Sequence, residues 1–183
     1  MPPKVKINVQ MIVDAAFEIV KNDGIEKLTA RTISEKLKCS TQPILYHFST
    51  IEDIKKTVYN KVDQYHTEYI MPKGIGNKFP LMELGLNYIK FGCEEKKLFQ
   101  FLFQANQFTG FRLDDLMESQ ELNEMVYMVS SSFNVNEQVA KEIFLSLFIT
   151  AHGCASLLAN NAMEYEEERL EKILGNAFEN IMR

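Results

Sequence analysis

Glycine and proline are scarce in this chain, eight and five of 183 residues. Apolar residues reach 46% and charged residues 25%, a balance that excludes collagen-like, low-complexity and disordered classes. Cysteine is scarcer still. Cys39, Cys93 and Cys154 are an odd number spaced roughly 55 to 60 positions apart, which makes neither a disulfide framework nor a C-x-x-C metal pair and points to a reducing compartment. A signal-peptide core is missing, because Asn8, Gln10, Asp14 and Glu18 interrupt the apolar positions near the N-terminus. The longest apolar stretch, 143–159, contains Ser146, Thr150, His152 and Ser156 and falls short of the roughly 20 clean residues of a membrane span. It reads as a buried helix, and the protein as cytoplasmic with no membrane partner.

Catalytic patterns are lacking too. The sequence shows no Ser/His/Asp or Cys/His spacing, no glycine-rich phosphate loop and no paired carboxylates, so an enzyme would need a site assembled wholly by the fold. Cys93, Cys154 and His152 form no metal or nucleophile pattern and read as packing residues. We therefore expect no enzyme, no cofactor and no metal.

Strict apolar alternation is absent, while apolar residues recur at helical spacing nearly everywhere, which makes the fold all-α. The length suits one domain or a small module joined to one of about 120 residues. The net charge of −5 is unevenly spread. Residues 1–62 carry 10 Lys/Arg against 7 Asp/Glu, and residues 63–183 carry 10 against 18. A basic head on an acidic body is the arrangement expected if only the head meets a polyanion.

Val9, Ile12, Val13, Ala16, Phe17 and Val20 line one face of a first helix, capped by Asn8 and ended by Gly24. Thr29 caps a short second helix with Ala30, Ile33 and Leu37 inward. A tight turn at Lys38-Cys39 leads to Ser40 or Thr41, either of which can cap a third short helix that tolerates Pro43 in its first turn. Thr50-Ile51-Glu52-Asp53 resembles a capping box opening a long fourth helix. The breaker cluster Pro72-Lys73-Gly74-Ile75-Gly76-Asn77 marks a boundary. Beyond it, helices are predicted at about 79–95, 96–105, 113–131, 136–160 and 167–182, with a loop at 106–111. The expected domains are residues 1–49, a connecting helix over 50–71, and 72–183.

Two short helices joined by a turn of about three residues, braced by a longer preceding helix, have the spacing of a helix-turn-helix. In the second, Ile44 and Phe48 face inward, leaving Thr41, Gln42, Leu45, Tyr46 and His47 outward or sideways. Gln42 can bond an adenine edge, Thr41 and Leu45 can meet a thymine methyl, and Tyr46 and His47 can donate to phosphates or else pack on the first helix. Lys4 and Lys6 suit either a minor-groove arm or a frayed terminus.

The segments Leu28-Thr29-Ala30-Arg31-Thr32-Ile33-Ser34 and Cys39-Ser40-Thr41-Gln42-Pro43-Ile44-Leu45-Tyr46-His47-Phe48 resemble the N-terminal domain of the TetR family of bacterial transcriptional regulators. The likeness covers about residues 8–60. It implies a ligand-responsive regulator, read as a repressor, that binds a palindromic double-stranded DNA operator as a homodimer closed by its last two helices. It also implies a small-molecule effector held by the helical C-terminal domain. Carried onto this chain, Thr29 contacts a phosphate, Arg31 reaches backbone or base, Ser40, Thr41 and Gln42 enter the major groove, and Tyr46 and His47 contact phosphates. Four positions depart from the family pattern: Ser34 replaces the usual Ala, Lys38 the turn Gly, Leu45 the usual Tyr, and Ile51 the Lys that opens the fourth helix. Leu45 and Ile51 would permit the rival reading, a helical small-molecule sensor or adaptor that has lost specific operator binding.

Aromatic and methionine bulk beyond the head is high. Tyr65, Tyr69, Phe99, Phe103 and Met125 are the expected lining of an effector cavity, with core packing as the other account of the same residues. The fourth helix, ending near Tyr69, is the expected mechanical link between effector and head.

Overall fold

The computed structural model describes residues 7–72, 80–104 and 120–181, and the fold is all-α, as expected. The helices are α1 (Val9–Asp23), a short 3-10 turn at Ile25–Lys27, α2 (Ala30–Lys36), α3 (Gln42–His47) and α4 (Ile51–Ile70). They continue with α5 (Pro80–Glu94), α6 (Lys96–Phe103), α7 (Gln120–Phe133), α8 (Glu137–Ala159) and α9 (Glu167–Ile181). No strand occurs among the described residues. Lys4, Lys6, the breaker cluster from position 73 onward, the 106–111 loop and the predicted helix start at 113–119 lie outside them.

Short polar signals set the helix ends. The Asn8 side chain accepts from the Met11 N–H at 2.9 Å, and Asn136 does the same for Val139 at 2.9 Å, each satisfying an orphan donor of a first turn. Thr29 Oγ1 accepts from the Thr32 N–H at 3.1 Å while Thr32 Oγ1 accepts from the Thr29 N–H at 3.0 Å, a reciprocal capping box with threonine in both roles. Thr50 and Asp53 form another, at 3.1 and 3.0 Å. Gly24 ends α1 at φ 90° and ψ 166°, a region open only to glycine rather than the left-handed helical one.

The chain packs as two compact units. Residues 1–68 with 97–105 make one, here the head; residues 69–96 with 106–183 make the other, the body. In the head, Ile12, Ala16, Val20, Ile33 and Ile44 are fully buried, together with Val58 and Val62 of α4. Leu98, Phe99, Phe101 and Leu102 of α6 are equally buried, with Phe101 edge-on to Tyr59 at 5.9 Å and Phe103 edge-on to His66 at 5.3 Å. Packing thus joins most of α4 and α6 to the helix-turn-helix, and the division between the two units falls inside α4.

In the body, α8 lies against α5, α7 and α9. Gly92 of α5 is so close to α8 that a Cβ there would stand 2.8 Å from the Ala155 Cβ and carbonyl oxygen. By length and composition α8 could cross a bilayer, but its Ile143, Leu147, Ala151, Ala155 and Leu158 are buried within the body, as in a core helix. Its opposite side shows Ile149 at 53% and Leu157 at 47% exposure, with open space beside Gly153.

Candidate nucleic-acid interface

The turn between α2 and α3 is closed by hydrogen bonds typical of a helix end. Cys39 N–H donates to the Ser34 carbonyl at 3.0 Å and Lys38 N–H to the Glu35 carbonyl at 3.2 Å, the 6→1 and 5→2 pair that requires a left-handed residue between them. That residue is Lys38, at φ 52°. The chain thus makes with lysine the turn in which the family pattern has glycine. Ser34 is also accommodated: it is buried, and its hydroxyl donates to the Arg31 carbonyl at 2.8 Å, so no polar group is stranded.

After the turn, Thr41 occupies the cap position of α3 without a side-chain bond, and Pro43 sits in the first turn. Ile44 and Phe48 fasten the helix to the head core. Ser40, Thr41 and Gln42 are exposed, Leu45 is 56% exposed and Tyr46 is 85% exposed. A six-residue helix seldom leaves a leucine and a tyrosine in water, since burying each would favour folding by about 1.5–3 kcal/mol.

His47 is placed differently from its neighbours. Its Nε2 lies 3.1 Å from the Ile7 carbonyl oxygen, so the ring N–H donates across 40 positions of sequence and ties the end of α3 to the residue before the α1 cap. The Tyr46 ring stands edge-on to it at 5.2 Å.

Charge on this side is mixed. Arg31 is exposed, and its Nε donates to Glu35 Oε1 at 2.9 Å. Glu35 was not singled out from sequence, although its i,i+4 spacing from Arg31 is the signal that marks such a pair. Lys27, Lys36, Lys38 and Lys56 are exposed, whereas Lys55 bonds Glu52 at 2.7 Å. Ile51 is half-buried at the start of α4, where it supplies no charge.

The five expected effector-lining residues fall in both units. Tyr65, Phe99 and Phe103 belong to the head, Tyr69 and Met125 to the body. Tyr65 Oη accepts from the Lys21 ammonium at 3.1 Å and its ring meets Phe17 edge-on at 5.5 Å, so it packs α4 on α1 and lines an open groove there. Phe99 and Phe103 pair at 4.9 Å. Tyr69 Oη donates to a Glu94 carboxylate oxygen at 2.5 Å, with its ring edge-on to Phe91. Met125 is half-buried on α7. Elsewhere in the body, the Tyr88 hydroxyl and His152 Nδ1 lie 2.9 Å apart. Burial raises the phenol's pKa and lowers the imidazole's, so the pair is held neutral.

No protein-family model matches the chain, and neither does any curated protein. Solved structures do. A TetR-family transcriptional regulator from Streptomyces coelicolor superposes with a TM-score of 0.65 at 13% identity, over 94% of this chain and 79% of that one. A transcriptional regulator from Rhodococcus sp. RHA1 gives 0.64 at 16% identity, over 94% and 95%. A TetR variant from Acinetobacter baumannii, in complex with minocycline, gives 0.59 at 13% identity over 97% and 96%. Likeness over nearly the whole length, with a helix-turn-helix formed at α2–α3 and helices throughout the remainder, establishes that this chain has the TetR fold.

Proposed function

We propose that the protein is a cytoplasmic, ligand-responsive transcriptional regulator, a repressor that binds a palindromic operator as a homodimer. The observation that carries this reading is the outward face of α3. Gln42, Leu45 and Tyr46 stand in solvent on a helix anchored by a fully buried Ile44, which is how a recognition helix presents itself to a major groove. Gln42 reads a base edge, Ser40, Thr41 and Leu45 line the groove, Thr29 and Tyr46 reach phosphates, and Arg31 reaches backbone or base after exchanging Glu35 for it. His47 holds α3 in place through Ile7.

The exposed Ile149 and Leu157 with Gly153 between them support a two-fold interface through α8 and α9. Apolar side chains one helical turn either side of a glycine let two helices meet closely. The minocycline complex of a TetR structure sharing this fold supports a small-molecule effector.

Fluorescence anisotropy on a duplex from the protein's own upstream region tests the assignment. Specific, salt-dependent binding is expected, and Gln42→Ala should weaken it by about 1–3 kcal/mol and relax preference at one base pair. Equal affinity for the upstream and scrambled duplexes would leave the sensor or adaptor reading. A monomer at tens of micromolar in sedimentation would remove the palindrome.

A further inference from the structure

We propose that the body holds a small-molecule site, separate from the side chains expected to line an effector cavity, that takes a compact aromatic monocation. A cavity of about 260 Å³ opens among α5, α7, α8 and α9. Leu81, Met82, Phe133 and Phe178 make its walls, with the two phenylalanine rings 4.8 Å apart and tilted by 49°. Gly175 lines it as well, and a Cβ there would meet no atom within 4 Å, so the glycine's missing side chain is part of the space. The volume suits a single ring with small substituents, below the roughly 300 Å³ at which drug-sized sites begin.

Charge selects the ligand. Among the described residues, Glu179 is the only ionisable one lining the cavity, and no ion pair or hydrogen bond engages it. It stands in the last turn of α9, which carries no basic residue, where the helix's own carbonyl ends are negative. A carboxylate there is repelled by the helix end, and a cation seated between it and the rings would relieve that repulsion. The ring faces add their own attraction for an ammonium group. An anion of the same bulk would meet a carboxylate and a helix C-terminus and be rejected.

The test uses the full-length protein without DNA, titrated with benzyltrimethylammonium and, separately, with 3-phenylpropionate, by calorimetry or ligand-observed NMR. Saturable binding of the cation and none of the anion is expected. Gly175→Leu projects into the cavity and should abolish binding while leaving the unfolding temperature equal or higher, because the helix loses a glycine and the side chain enters open space. Glu179→Gln, on an exposed position, should weaken the cation by roughly fivefold at low salt, less as salt screens the pair. The proposal is overturned if the cation does not bind, if the anion binds equally well, or if a folded Gly175→Leu protein binds the cation unchanged.

Discussion

Head and body bury similar side chains but fix their geometry by different means. In the head, α1, α2 and α4 are held at their starts by polar groups within a few residues of one another: Asn8 on Met11, Thr29 and Thr32 on each other, Thr50 on Asp53. Its long-range polar ties, His47 to Ile7, Lys21 to Tyr65 and Lys61 to Asp14, close the same small unit. In the body, geometry rests on how closely long helices approach, through Gly92 on Ala155, Leu174 against Gly85 and the Tyr88–Phe148–His152 ring cluster. The head can present polar and apolar side chains to solvent because its frame does not depend on them. The body's frame is made of the same residues that shape its cavities, so changing a cavity there risks changing the fold.

The largest expected effect tests how much of the head depends on the long part of α4. His66 is buried against Phe103, and burial lowers its pKa to about 4 from about 6.5 in the unfolded chain. The unfolded chain therefore takes up the proton first. The stability that neutral His66 contributes is intact above about pH 6.5 and is lost as the pH falls towards 4, a loss of about 3 kcal/mol. Denaturant unfolding at pH 7 and pH 4 measures it, and His66→Leu should remove that part of the difference. An equal acid loss in the variant would assign it to carboxylates instead.

In the body, two glycines on helices should respond with opposite sign. Gly→Ala within a helix normally gains up to about 1 kcal/mol. Gly175→Ala should show that gain, because its Cβ enters open space. Gly92→Ala should instead lose about 1–3 kcal/mol, because its Cβ would press on Ala155 backbone as well as side chain. Equal responses in thermal unfolding would mean that α5 and α8 move apart easily, and the contrast with the head would weaken.

His47 separates a residue that touches DNA from one that positions its neighbours. Its Nε2 is already bonded to Ile7, so His47→Ala should cost about 1 kcal/mol of stability and leave the salt dependence of DNA binding unchanged. Tyr46→Phe should keep the stability. If His47→Ala flattens the salt slope by about one unit, the imidazole contacts a phosphate after all.

The same contrast explains what the sequence made legible. Asn8, Thr29 and Thr50 are caps whose partners lie three residues away, and the inward Ile44 and Phe48 follow from helical spacing alone, so the head could be drawn from local signals. Thr41 is the exception, because Pro43 and the turn settle the start of α3 without its hydroxyl. In the body, the helix positions were legible but their approach was not: Gly92 and Ala155 are far apart in sequence, and no local pattern marks one glycine as a contact and another as a cavity wall. Tyr65, Tyr69, Phe99, Phe103 and Met125 looked alike as aromatic or methionine bulk. What distinguishes them is which unit each packs into, and α6 joins the head through rings that only the fold brings to Tyr59 and His66.

The smallest expected effect concerns three residues that hold the same backbone conformation. Lys38, Asn134 and Asn161 all lie at φ between 51° and 56°, and each is followed by an N–H bonded back to the helix it ends. Among the described residues the body uses asparagine at both such positions, the non-glycine residue that adopts this conformation most readily. The head uses lysine, at a strain of about 1–2 kcal/mol, against which glycine loses about 0.4–1 kcal/mol of extra chain entropy on folding. Lys38→Gly should therefore stabilise the protein by about 0.5–1 kcal/mol, while Asn161→Gly should change little. A strained lysine, exposed in the turn of a helix-turn-helix, is explained if its ammonium meets a phosphate that the half-buried Ile51 cannot. Lys38→Gly should then lower affinity for specific and scrambled duplexes alike and reduce the salt slope by about one unit, even as the unfolding temperature rises. A stabilised variant with an unaltered slope would place the lysine outside the DNA contact, and a variant with no gain in stability would mean that the turn tolerates lysine as readily as the body tolerates asparagine.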